Sequence, residues 1–217
     1  MCSHFLLGSL FWTSSIVSNS NADQLSQPTG LYVDSHGAVY VADGAKDDVL
    51  KFKAGRKTGV LVAGETDYYG DDANHLNYPA GLFVDEIDKN YLYICDGNNN
   101  RIQRWSSDGS TATTVAGSSS AYHSSALNSF YNPRSVIIDP TGKQMYISDA
   151  SNNRIVRWPL KNGKQGQVVL QPTGVHALNS PHGIKFDADN NLYVADSGNY
   201  RILKFLFNKA SCRTQSG

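Results

Sequence analysis

Three short stretches repeat one arrangement of charged residues: CDGNNNRIQRW (Cys95–Trp105), SDASNNRIVRW (Ser148–Trp158) and ADSGNYRILKF (Ala195–Phe205). Asp96, Asp149 and Asp196 each precede an arginine, Arg101, Arg154 and Arg201, by five residues. A carboxylate can accept the N–H groups of a turn and pair with a guanidinium. Such a pair is either a staple that fixes the register of a hairpin or one member of a charged ring on a binding face. Its recurrence with the repeat unit favours the staple, worth about 1 kcal/mol when partly exposed. The first copy, ADGAKDDVLKF, departs from the pattern and carries Asp48 where the others carry arginine.

Other chemistry-bearing residues form no constellation. His4, His36, His75, His123 and His176 lack metal-ligand spacing and read as surface residues. The pairs Asp71/Asp72 and Asp187/Asp189 do not supply the spaced ligands of a calcium loop. There is no G-x-S-x-G elbow and no phosphate-cradling glycine loop. Glutamate occurs only at Glu65 and Glu86. Three cysteines, Cys2, Cys95 and Cys212, make neither a disulfide framework nor a zinc motif. Cys95 stands where the other copies have Ala42, Ser148 and Ala195, which points to a small buried position.

The 217 residues balance 19 Lys+Arg against 19 Asp+Glu. That balance argues against a dominant electrostatic grip on nucleic acid, and none is expected as a partner. The apolar run His4–Trp12 is too short to span a bilayer, which takes ~20 residues, so no membrane span is expected. It suits the apolar core of a secretory signal, although no Lys or Arg precedes it. The expected location is extracellular, with the cytoplasm as the alternative.

The elements that position these residues come from an internal repeat. QPTGLYVD, YPAGLFVD, NPRSVIID and SPHGIKFD align on Pro28, Pro79, Pro133 and Pro181, at steps of 51, 54 and 48 residues. A large apolar residue, Leu25, Leu76, Phe130 or Leu178, stands three positions before each proline. Each segment is followed by AVYVAD, YLYICD, QMYISD or NLYVAD, then by DVLKF, RIQRW, RIVRW or RILKF, and in the first three units by a more variable fourth run. Runs of this length, rich in β-branched and aromatic residues and bounded by Gly, Asp and Asn, read as strands. Four strands per unit of about 50 residues is a propeller blade, whose faces are buried by stacking on its neighbours.

The pattern Pro-x-Gly-[Leu/Ile]-x-x-Asp followed by Leu-Tyr-Val-Ala-Asp-x-x-Asn-x-Arg-Ile resembles the NHL repeat over about Leu25–Phe205. NHL domains resemble six-bladed propellers of the TolB-like kind, and four repeats imply a partial propeller or a four-bladed one. The expected organisation is an N-terminal segment 1–24, a repeat domain 25–207 with blades near 25–64, 76–117, 130–171 and 178–207, and a tail 208–217. The fourth unit lacks an obvious fourth strand. Residues 13–20, TSSIVSNS, are a candidate to complete it, in competition with the signal-peptide reading.

The resemblance implies two function classes. NHL propellers serve as protein- or ligand-binding scaffolds, which is the favoured reading, with an unidentified protein or small ligand as partner and no cofactor. The binding-surface candidates are Tyr68, Tyr69, Tyr122 and His123 in the long variable connections, together with Arg134. The alternative is a metal-dependent propeller enzyme, lyase-like or lactonase-like, using zinc or calcium. Amidating lyases resemble NHL propellers and use Pro-His segments to hold a central zinc. His182 in SPHGI fits that pattern, but the equivalent positions are Thr29, Ala80 and Arg134, so this motif assembles no three-histidine site.

Overall fold

The computed structural model describes residues 25–118 and 121–206. Expectations for segments 1–24 and 208–217, including Cys2, His4, Cys212 and the strand at 13–20, lie outside the described residues. The described chain forms four antiparallel sheets in a four-bladed propeller arrangement. Blade 1 is β1 (Pro28–Val33), β2 (Val39–Asp43), β3 (Asp48–Phe52) and β4 (Val60–Gly64). Blade 2 is β5 (Pro79–Asp85), β6 (Tyr91–Asp96), β7 (Arg101–Trp105) and β8 (Ala112–Gly117). Blade 3 is β9 (Pro133–Ile138), β10 (Gln144–Asp149), β11 (Arg154–Pro159) and β12 (Gln167–Leu170). Blade 4 has three described strands, β13 (Pro181–Phe186), β14 (Leu192–Asp196) and β15 (Arg201–Phe205).

The core lies between blades. One cluster joins Tyr40, Ala42 and Val49 of blade 1 to Leu82, Leu92 and Ile94 of blade 2. A second joins Cys95 and Ile102 to Val136, Met145 and Trp158. A third joins Ile137, Tyr146 and Ile155 to Ile184, Leu192 and Val194. Strands β6 and β10 are therefore apolar on both faces and bury almost every residue. In the end blades, Leu31 and Ile202 are each 68% exposed. Leu76, Phe130 and Leu178, three residues before the prolines, belong to these clusters, while Leu25 packs against Val41, Leu50 and Phe52 within blade 1.

Inner strands approach one another backbone to backbone. A Cβ on Gly30 would meet the Ala80 carbonyl at 2.2 Å, and one on Gly81 would meet that of Arg134 at 2.5 Å. The corresponding residue of blade 3 is Ser135, whose hydroxyl accepts the Ile184 N–H at 3.4 Å. At Gly183 of blade 4 a Cβ would meet nothing within 4 Å.

A polar latch also links successive blades. The last residue of each β2–β3-type hairpin, Asp47, Asn100 or Asn153, has positive φ. So does the residue before the next blade's proline, Tyr78, Asn132 or Ser180. The hairpin side-chain oxygen accepts the N–H of that residue, at 2.7, 2.8 and 2.8 Å respectively. Asn and Asp tolerate the left-handed region better than other side chains with a Cβ. They also carry the acceptor, so one residue type meets both demands.

Candidate functional site

The three Asp/Arg pairs close the hairpin bases, with Asp96, Asp149 and Asp196 in register opposite Arg101, Arg154 and Arg201. Each Nε lies 2.7 Å from the Asp Oδ2. The Nη groups reach further, to the connection that brings the chain into the blade. Arg101 donates to the carbonyls of Asp71, Asp72 and His75. Arg154 donates to those of Ser125, Ala126 and Ser129. Arg201 donates to those of Val175, His176 and Ala177. Asn99, Asn152 and Asn199 bridge the same Asp Oδ2 to a carbonyl of that connection.

In blades 2 and 3 these pairs are almost fully buried, where the sequence reading assumed partial exposure. Burial pushes the Asp96 carboxyl up to about 6 and raises Asp149, against the pull of their arginines and other donors. Burial also lifts Asp196, but bonds from Asn179, Asn199 and Arg201 outweigh it and leave that carboxyl lowered. The bonding pattern is shared, so the opposite sign follows desolvation. Arg201 is 31% exposed, against 2% for Arg101.

The second residue of each inner strand, Thr29, Ala80, Arg134 and His182, lines a shared cavity of about 420 Å³ at the propeller centre. The Arg134 guanidinium sits 5.2 Å from the Tyr78 ring centroid, as a cation over its face. Its Nε is buried and has no hydrogen-bond partner. His182 faces the same cavity, with its Nε2 3.3 Å from the Ser180 hydroxyl. Desolvation and the Arg134 charge both lower the His182 pKa, which favours the neutral imidazole. Thr29 points its hydroxyl to the Pro79 carbonyl at 2.6 Å and is satisfied there.

The other binding-surface candidates lie on the clamped connections. Tyr68, Tyr69 and Tyr122 are exposed at 56%, 69% and 79%. Tyr68 leans on the His75 ring, 4.8 Å between centroids, and His123 stacks on Tyr131 at 4.2 Å. His75, expected on the surface, is instead held between Asp72 and Glu65 with its side chain 18% exposed. Desolvation would lower its pKa, but the bonds to the two carboxylates prevail and raise it.

The cavity does not fit a catalytic zinc. Among the described residues His182 is its only imidazole, and the fixed cation of Arg134 stands beside it. Among the described residues no group of three or more His, Cys, Asp or Glu is placed to hold a metal ion. Among the described residues no carboxylate lines the cavity to serve as general base. What remains is a preformed concave site with one unsatisfied cationic donor.

Blades stacked through their faces, with inner strands around a common cavity, define a β-propeller. The chain is an NHL-repeat propeller: residues 178–205, the fourth blade, match the NHL repeat. It is 30% identical over 190 residues to NHL repeat-containing protein 3 of Mus musculus, covering 80% of this chain and 50% of that protein. It is 28% identical over 190 residues to peptidyl-glycine alpha-amidating monooxygenase B of Xenopus laevis, covering 85% of this chain and 22% of that protein. The chain thus spans half or less of the length of these curated relatives. Among solved structures it resembles a chain of a nidogen/laminin complex, with a TM-score of 0.62 at 20% identity, over 81% of this chain and 59% of that one. Among the described residues no helix is long and apolar enough to cross a membrane.

Proposed function

We propose that this propeller is a non-catalytic binding module whose central cavity takes an anionic group, the carboxylate end of a peptide being the best fit. The observation that carries this reading is the Arg134 Nε, buried and unpartnered at a preformed cavity. An unpaired buried donor costs free energy until a ligand satisfies it. A guanidinium matches a carboxylate geometrically as well as electrically. His182 and the Tyr78 ring add a donor or acceptor and an apolar wall.

The named activity of one relative supports the ligand class, since a peptidyl-glycine ends in a carboxylate. The nidogen/laminin complex supports protein binding as a use of the fold. The exposed tyrosines of the clamped connections would then contact the body of the peptide or protein. An enzyme reading is weaker, because among the described residues the cavity offers one histidine and no carboxylate.

The test is calorimetric titration with a short peptide ending in a glycine carboxylate, beside the same peptide as its amide. The acid is expected to bind at least tenfold more tightly, with the preference lost in Arg134→Ala. Equal affinity for acid and amide, or no binding of either, overturns the reading.

A further inference from the structure

Blade 1 breaks the clamp pattern in a specific way. Asp43 and Asp48 face each other in register at the hairpin base, where the other blades pair aspartate with arginine. Both carboxylates are fully buried. Asp43 is satisfied in the usual manner, by the backbone N–H groups of Ser26 and Gln27. Asp48 accepts one hydrogen bond, from the Thr66 hydroxyl to its Oδ2 at 2.6 Å. Its Oδ1 is buried with no partner at all.

The surroundings are acidic. Asp43 and Asp67 add negative charge near Asp48, and Lys46 is the cation that acts on it. Lys46 occupies the place of Asn99, Asn152 and Asn199, not that of the arginines. The position equivalent to a guanidinium is thus bordered by two buried carboxylates, one of which holds an unused oxygen. Isolated buried carboxylates are strongly disfavoured unless paired or bound to a cation.

We propose that the base of the blade 1 hairpin is a cation site, in which Asp43 and Asp48 hold a hard divalent ion, calcium or magnesium, in the place of the missing guanidinium. Hard cations take oxygen ligands, and magnesium in particular binds through one or two carboxylates while keeping several waters. Two carboxylates suffice for such a site, and it stands independently of the ligand proposed for the central cavity. The ion does for blade 1 what Arg101, Arg154 and Arg201 do elsewhere: it neutralises the hairpin base.

The experiment is thermal unfolding of the chain in chelator, then with millimolar calcium or magnesium, with stoichiometry from calorimetric titration. One ion per chain is expected, with a rise in Tm of about 5–10 °C at a hundred times Kd. Asp48→Asn should lose both the heat of binding and the shift. Asp48→Arg, which installs the residue of the other blades, should fold with a Tm at or above that of the ion-loaded protein and ignore added metal. Either of two results overturns the proposal: no metal-dependent shift in the unaltered protein, or undiminished binding in Asp48→Arg. A Tm that rises on acidification but not with metal would assign the site to a shared proton.

Discussion

The Asn153 side-chain oxygen accepts the backbone N–H of Ser180, 2.8 Å away and 27 residues later in the chain. This one bond ties the blade 3 hairpin to the entry of blade 4, and both residues hold positive φ to make it. Asn153→Ala removes this solvent-exposed bond and loses a residue suited to the left-handed region. The expected cost is about 0.5–1.5 kcal/mol in urea unfolding. Tyr200 is the counterpart in blade 4 and is 96% exposed. Tyr200→Asn should leave stability unchanged within about 0.5 kcal/mol.

The arginine clamps differ in burial, so their removal should differ in cost. Arg154→Met strands a buried Asp149 and three carbonyls of the incoming connection. Breaking a buried pair by removing one partner costs about 3–5 kcal/mol. Arg201→Met acts on a pair that water already reaches, and about 1 kcal/mol is expected. Equal losses in denaturant titrations would contradict the assigned role of burial.

Inner-strand spacing makes a contrast between two glycines. Gly81→Ala drives a methyl group against the Arg134 carbonyl and must spread blades 2 and 3. A loss of about 1–3 kcal/mol is expected from such overpacking. Gly183→Ala meets open space and should be neutral. The pair is read by Tm on variants made side by side.

The hairpin bases of the repeat were legible because charge and period coincide. Asp96 with Arg101 recurs at fixed spacing, and only a hairpin brings residues five apart into register. The sequence could not show where the Nη groups go, because their carbonyl acceptors lie 24 to 30 residues upstream in connections of varied composition. The latch was hidden for a related reason. Asn100 and Asn153 read as ordinary turn residues, and their partners are backbone N–H groups that carry no sequence mark. At the cavity, the alignment on proline singled out Thr29, Ala80, Arg134 and His182 as equivalent. That Arg134 keeps an unpaired buried Nε is a matter of three-dimensional packing, beyond the reach of residue types.

Asp48 should give the metal-free protein a distinct pH response. Burial pushes its carboxyl up to about 6, with the Thr66 bond and Lys46 opposing and Asp43 and Asp67 reinforcing. A carboxyl raised in the fold contributes stability below its ordinary pKa, and that contribution disappears as pH rises through the folded value. In chelator, stability is therefore expected to increase from pH 7 towards pH 5, with a slope that Asp48→Asn reduces. Urea midpoints across that range, read for both proteins, measure the difference.

Cys95 is fully buried between blades 2 and 3, and desolvation raises its thiol well above the ordinary range. It should resist thiol reagents at pH 8 in the native protein and react only on unfolding. Mass spectrometry of the peptide carrying Cys95, with and without denaturant, reads this directly.

Core and latch both run from one described blade to the next in chain order, so these blades form a row of coupled units. Among the described residues, each inner blade is secured from two sides and each outer one from a single side. Such systems melt from their ends, as a stack of coins slides apart from the top. Amide protons of β6 and β10 should then exchange with solvent through openings close to global unfolding, and those of β15 through cheap local fraying. A repeat that looks uniform in sequence would thus carry a graded stability, set by position in the row more than by the residues of any one blade.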